Sequence, residues 1–140
     1  MTATTYEKPL PEPDIDSKEY WQGCKEHELL LQRCKKCGNL RWPPVAICSK
    51  CRSFDFEWIP SLGTGTVYAW IVIVQSNQRG FADEVPYAVV TVELDDQPGL
   101  RLPSNLVGCD PREIKANMPV EVVFEGVTPE ISLPKFRPRR

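Results

Sequence analysis

Cys34-Lys35-Lys36-Cys37, ten intervening residues and then Cys48-Ser49-Lys50-Cys51 is the stretch on which the reading of this 140-residue chain turns. A two-residue gap lets both sulfurs of a turn point inward from one tight knuckle, and two such knuckles complete a tetrahedron. Four thiolates suit zinc. Iron is the alternative metal, and a structural disulfide is disfavoured because no secretory signal is evident. Gly38, directly after the first pair, supplies the positive φ that such a knuckle often needs, and Arg52-Ser53 takes that place after the second. Four protein ligands leave no open position for water, so Cys34, Cys37, Cys48 and Cys51 are predicted to hold a structural Zn2+.

Outward from this stretch, 140 residues suffice for one core and a small appendage rather than two full domains. The metal replaces a core that its own segment is too short to build. A net charge of -2 argues against a protein whose main task is gripping a polyphosphate backbone. The N-terminal stretch to Pro13 is polar and proline-punctuated, and the chain contains no run of about 18 apolar residues, so a soluble, cytoplasmic protein is expected. In a reducing compartment the remaining cysteines, Cys24 and Cys109, are free thiols that serve as small buried residues rather than nucleophiles.

Before the knuckles, residues 1–15 read as an extended arm. Asp16, with Glu19 three residues on, is expected to cap a short helix reaching about His27, whose apolar side is Tyr20, Trp21 and Cys24. Such a helix needs a second surface, either this chain's own core or another subunit. Strands are expected at Glu28–Arg33, at Leu40–Trp42 and, from the alternation of apolar and acidic residues, at Phe54–Trp58. Gly63-Thr64-Gly65 punctuates the chain, placing a boundary near residue 62.

Beyond it the pattern turns to β-rich runs. Thr66–Gln75, apolar almost throughout, is expected to be a strand buried on both faces or a curled barrel strand. Tyr87–Leu94 and Leu100–Val107 follow, joined by the turn residues Asp95-Asp96-Gln97-Pro98-Gly99. Asp110, Pro111 and Glu113 mark a brief helix ending near Asn117, before strands at Val120–Glu125 and Glu130–Leu133. Three strands, a short helix and two strands give the order of a five-stranded Greek-key barrel, the OB-fold. The expected organisation is therefore mainly β: arm 1–15, helix and four-Cys ribbon 16–62, OB-fold 63–134, and a basic extended tail 135–140.

Chemistry beyond the metal is sparse. His27 is the one histidine, and no paired carboxylates, supported nucleophile or Gly-rich phosphate loop can be assembled. Zinc ribbons and OB-folds also bind single-stranded nucleic acid, but the expected strands Thr66–Gln75 and Tyr87–Leu94 carry Tyr68, Trp70 and Tyr87 without any Lys or Arg.

Tyr20-Trp21-Gln22-Gly23, Leu29-Leu30-Leu31-Gln32-Arg33-Cys34, Arg41-Trp42-Pro43-Pro44, Gly65-Thr66-Val67-Tyr68, Val107-Gly108-Cys109-Asp110-Pro111, Met118-Pro119-Val120-Glu121-Val122 and Pro134-Lys135-Phe136-Arg137-Pro138 follow one another in an order that resembles the DUF35 family. The resemblance runs from about residue 15 to 138. It implies a rubredoxin-like zinc ribbon joined to an OB-fold and a role beside thiolase-superfamily enzymes, as the non-catalytic subunit lining the route of a CoA thioester. A steroid side-chain retro-aldolase complex is the alternative partner it implies. For such a ligand Arg79, Lys135 and Arg137 are the candidate cations and Phe81 the candidate apolar contact, while Tyr20, Trp21 and Trp42 are candidates for the partner interface.

Overall fold

The computed structural model describes residues 6–139, so the first five residues of the expected arm and Arg140 of the expected tail lie outside the described residues. Helix α1, Lys18–Lys25, begins after Ser17. Asp14, rather than Asp16, organises its start: Asp14 Oδ1 accepts the Ser17 N–H and the Ser17 hydroxyl, each at 2.9 Å. Two carboxylates two residues apart were available for this role, and the one that reaches forward across the turn took it. The helix buries Tyr20, Gly23 and Cys24. A Cβ on Gly23 would lie 2.7 Å from Leu30 Cγ, which shows how closely this face is pressed onto the next strand.

That strand, β1, is Leu30–Cys34, and it sits between β2, Leu40–Arg41, and β3, Phe56–Pro60, in a sheet of order β2-β1-β3. The β1–β2 register is only two pairs long, Gln32 with Arg41 and Arg33 with Leu40. So short a ladder cannot hold the two knuckles it leads into.

Strands β4, Thr64–Ile73, β5, Tyr87–Leu94, β6, Arg101–Leu106, β7, Pro119–Gly126, and β8, Ser132–Pro138, close into a barrel of order β4-β5-β6-β8-β7. This is the five-stranded OB-fold. Strict alternation along β5 turns Ala88, Val90, Val92 and Leu94 inward, where they meet Val67, Leu102, Val120 and Phe136 in one core. Tyr20, Cys24, Leu29 and Leu31 belong to that same core, so α1 and the ribbon's first strand are built onto the barrel.

Two expectations need correction, and one alternative is decided. The helix after Asp110 is a single 3-10 turn, Pro111–Glu113, because the chain turns extended again at Ile114 to bury it. The segment expected as an extended tail from 135 is the body of β8, which pairs with β7 from Gly126 to Val120 and buries Phe136 completely. Alternation explains this: Lys135 and Arg137 flank Phe136 and point away from the core, so a basic stretch with one inward aromatic is a strand. Finally, of the two alternatives for Thr66–Gln75 the barrel strand is found and burial on both faces is not. Strand β4 pairs with β7 only from Thr64 to Thr66, its register with β5 shifts between Val67 and Ala69, and Tyr68 through Ile71 are exposed. The bulge turns the strand off the barrel and carries an apolar edge into solvent.

Candidate metal centre

Each knuckle is shaped by its own backbone. The Gly38 N–H donates to the Cys34 carbonyl at 2.9 Å and the Cys34 N–H to the Asn39 carbonyl at 2.9 Å. In the second knuckle the Arg52 N–H donates to the Cys48 carbonyl at 2.9 Å and the Cys48 N–H to the Ser53 carbonyl at 3.0 Å. Gly38 (φ +78) and Arg52 (φ 63) occupy the left-handed positions that the sequence assigned to them. Glycine takes that conformation freely, whereas Arg52 is strained, held there by the two backbone bonds of its knuckle.

The four sulfurs converge within 4.8 Å of one another, with Cys34 Sγ 3.4 Å from Cys51 Sγ and Cys37 Sγ 3.6 Å from Cys48 Sγ. A tetrahedron with zinc–sulfur bonds of ~2.3 Å has edges of about 3.8 Å, so the donor set fits a closed zinc site. Backbone donors prepare the thiolates. The Cys37 N–H, then the Lys36 N–H, hold the Cys34 thiol below its ordinary range, and the N–H groups of Cys51 and Lys50 bring Cys48 down to about 6. Cys51 moves the other way: the Ser53 N–H lowers it, but desolvation and the neighbouring sulfurs push it up to about 11. Four sulfurs this close cannot all ionise without a cation between them. Zinc with four thiolates carries two net negative charges, and Lys35, Lys36, Lys50 and Arg52 around the knuckles offset them.

The ribbon is clamped to the barrel by a residue that the sequence marked only as part of a turn. Gln97 accepts the Leu40 N–H at 2.9 Å through Oε1 and donates through Nε2 to the Leu40 carbonyl at 3.0 Å. Asp96, next to it, accepts the Ser61 hydroxyl at 2.6 Å and the Leu62 N–H at 2.9 Å. Inside the ribbon, buried Gln32 accepts from Arg41 Nε and from the Val45 N–H through Oε1, each at 2.9 Å. Turn-forming polar residues look alike in sequence whether they face water or a second unit, so no local signal distinguished Gln97.

The remaining candidates separate. Arg79 pairs with Glu7, Lys135 with Glu125 and Arg137 with Glu121. Lys135 and Phe81 line one narrow cleft with Lys8, Tyr87 and Asn105, whereas Arg137 lines a different hollow with Glu121 and Gly108. Tyr20 is 2% exposed, its ring edge-on to Trp21 and Trp42, so its apolar surface is spent on this chain's own core. Trp21 and Trp42 are half-buried against that core. His27, at φ 65 just past the helix end, stacks on Phe124 with ring centroids 5.3 Å apart. Burial pushes the Cys24 thiol up to about 12. Among the described residues, no helix is long and apolar enough to cross a membrane.

A closed four-sulfur ribbon clamped on a five-stranded barrel defines a zinc-ribbon/OB-fold protein. Two family profiles match it in succession: the ChsH2 rubredoxin-like zinc ribbon domain over residues 21–57 and the ChsH2 C-terminal OB-fold domain over residues 58–125. A DUF35 domain-containing scaffold protein of Methanocaldococcus jannaschii is 36% identical over 109 residues, covering 76% of this chain and 75% of that one. The chain belongs to the DUF35 family. A probable enoyl-CoA hydratase alpha subunit of Thermomonospora curvata is 40% identical over 94% of this chain, which spans only 40% of that subunit's length. The benzoylsuccinyl-CoA thiolase subunit BbsA of Thauera aromatica is 29% identical over 86% of this chain and 83% of its own length. Among solved structures, one described as an Ltp2-ChsH2(DUF35) aldolase superposes with a TM-score of 0.83 at 40% identity, covering 92% of this chain and 98% of that chain.

Proposed function

We propose that this chain is the non-catalytic zinc-ribbon/OB-fold subunit of a thiolase-like acyl-CoA enzyme, stabilising its partner and lining the route of the CoA thioester during carbon–carbon bond cleavage or formation. The observation that carries the accessory-subunit role, whichever the partner, is the close match, over nearly the whole length, to a chain described as an Ltp2-ChsH2(DUF35) aldolase. The likeness to a benzoylsuccinyl-CoA thiolase subunit supports a thiolase partner. The aldolase structure favours the second reading, a retro-aldolase complex, in which the chain's task would be the same.

The metal supports a scaffolding role. Its four protein ligands fill the coordination shell, so zinc there supplies rigidity, and the cysteines spend their chemistry on holding two knuckles against β1. The exposed edge of β4 supports assembly: Tyr68 and Ile71 are 53% and 59% exposed on a strand without a single charge, and Val74 just beyond its end is 73% exposed. Such an edge invites aggregation unless something covers it, and the partner subunit is the cover we assign. Trp21 and Trp42 stay candidates for the rim of that contact. For the thioester, Phe81 and Lys135 share a cleft and form the nearer half of the proposed contact; Lys135, Arg79 and Arg137 serve it only on leaving Glu125, Glu7 and Glu121.

Co-expression with the thiolase-like protein encoded nearest to this chain, followed by size-exclusion chromatography, tests the proposal. A stoichiometric complex is expected. Elution of this chain as a lone 15.9 kDa species beside a well-folded partner would refute it.

A further inference from the structure

The cleft that holds Phe81 and Lys135 is completed by the chain's own N-terminal arm. Tyr87, Leu106 and Val107 form its apolar wall, and Lys8, some seventy residues away from Phe81 in sequence, stands opposite as part of the lining. With Lys8 in place the cleft encloses about 60 Å³. That is room for a few water molecules, and far short of the roughly 300 Å³ at which small-ligand pockets begin. An acyl chain cannot enter while the arm stays where it is.

The arm is seated on the loop between β4 and β5 by consecutive contacts. Glu7 accepts Arg79 Nε at 3.1 Å. Lys8 Nζ reaches Glu84 at 2.5 Å and lies 5.0 Å from the centre of the Phe81 ring, which leaves its side chain only 12% exposed. Between those two loop residues, Gly80 has φ +87, and a Cβ there would meet Lys8 Cγ at 2.8 Å and the Lys8 backbone nitrogen at 3.0 Å. Glycine is what lets the arm lie so close. Burial raises the Tyr6 hydroxyl above its ordinary range, and the charges of Glu125 and Glu84 add to this against that of Lys8, so Tyr6 sits by the carboxylates that hold Lys135 and Lys8.

The fit is specific, but its energy is small. Arg79 and Glu7 are 78% and 52% exposed, and ion pairs so open to water contribute little. A cation over a ring adds a comparable amount. None of residues 6–19 is buried, so no apolar anchor holds the arm down. Contacts that are well defined and weak describe a segment that a competitor can lift.

We propose that residues 6–8 are a displaceable strap that keeps this cleft shut, and that the cleft, once open, takes the neutral, linear part of a thioester, the second step resting on the subunit reading above. Lifting the strap exposes the face of Phe81 and frees Arg79 from Glu7 together. It also withdraws the charge of Lys8 and leaves Glu84 behind, so the opened slot favours an uncharged chain, with Arg79 outside the lining available to the phosphates.

Two measurements on the zinc-loaded full chain test the proposal. The first is limited trypsin cleavage after Arg79 in the parent, in Lys8→Ser and in Glu7→Gln; Pro9 protects the parent from cutting after Lys8 itself. Cleavage about tenfold faster in Lys8→Ser, and a smaller gain in Glu7→Gln, are expected as the loop is released. Equal rates in all three chains overturn the strap. The second is titration with octanoyl-CoA, read by calorimetry and by backbone amide NMR shifts. Lys8→Ser should bind about tenfold more tightly than the parent although it has lost a positive charge, with shifts at Phe81, Ala88 and Val107. Lys115→Ser, which loses the same charge outside the cleft lining, should bind no more tightly than the parent. Weaker binding by Lys8→Ser makes Lys8 a ligand contact and overturns the proposal. Faster cleavage in Lys8→Ser with no octanoyl-CoA bound to either chain keeps the strap and removes the thioester from this cleft, so the two steps fail separately.

Discussion

Removing the metal should dissolve the ribbon and spare the barrel. The β1–β2 ladder has two residue pairs, and Lys35, Lys36, Gly38, Ser49, Lys50 and Arg52 are all exposed, so little besides the four sulfurs holds the knuckles. Structural zinc in small ribbons contributes about 10–16 kcal/mol of apparent folding free energy. The whole stability of a domain is about 5–15 kcal/mol. Losing the metal therefore exceeds any margin the knuckles have of their own. The barrel differs, because its ladders close on themselves and its core of Val90, Val92, Leu102 and Phe136 touches no sulfur ligand. Amide hydrogen exchange before and after stripping with a strong chelator reads both units at once. The Cys34, Gly38, Cys48 and Arg52 amides, each hydrogen-bonded within a knuckle, should lose protection by about a thousandfold or more. The Val90 and Val92 amides should stay within about tenfold of their original protection. Unchanged protection at the knuckle amides of a verifiably metal-free chain would refute the reasoning.

Three further outcomes follow from single positions. In Gly65→Ala the new Cβ runs into the Glu93 carbonyl oxygen with Val92 Cγ1 2.8 Å away, so the variant should lose about 1–3 kcal/mol. Calorimetry should show its melting temperature falling by about 4 °C per kcal/mol, and an unchanged value would contradict the packing described at that crossing. Cys24, whose thiol burial raises from 9.0 to about 12, should resist alkylation at pH 8 in the native chain and react once it is unfolded. Because the folded value lies above the unfolded one, this contribution to stability is complete below pH 9 and lost as pH climbs towards 12, which alkaline melts would follow. Ile71→Lys places a charge on the β4 edge; at 59% exposure, covering Ile71 is worth about 1–2 kcal/mol. The variant should bind its partner at least about tenfold more weakly while melting within about 2 °C of the parent, and wild-type affinity would remove β4 from the interface.

The four-cysteine cluster and the barrel were legible because their signals are local. A C-x2-C pair announces itself by spacing, and Gly38 and Arg52 fall at the positive-φ positions that the spacing requires. Tyr87–Leu94, bounded by turn residues, matches β5 end to end, and one face of that strand is core along its whole length. Readings failed or stayed open where a neighbour decided the outcome. Thr66–Gln75 is apolar enough for a strand buried on both faces as well as for a curled barrel strand, and only the barrel's closure, in which β7 leaves β4 after Thr66, decides for the second. Basic, proline-punctuated residues 135–140 look like a tail until Phe136 is seen as the last inward residue of the core. The clamp at Gln97 and the burial of Arg41 against Gln32 depend on contacts about 57 and 9 residues away in sequence, beyond the reach of any local pattern.

The most direct test of the accessory-subunit reading is an assay of CoA-dependent carbon–carbon bond cleavage by the thiolase-like partner, alone and after reconstitution with this chain in zinc-loaded and metal-stripped forms. The account predicts strong activity only in the zinc-loaded complex, none from this chain by itself, and a loss on stripping that follows the loss of the complex. Full activity of the partner alone, unchanged on adding this chain, would contradict it.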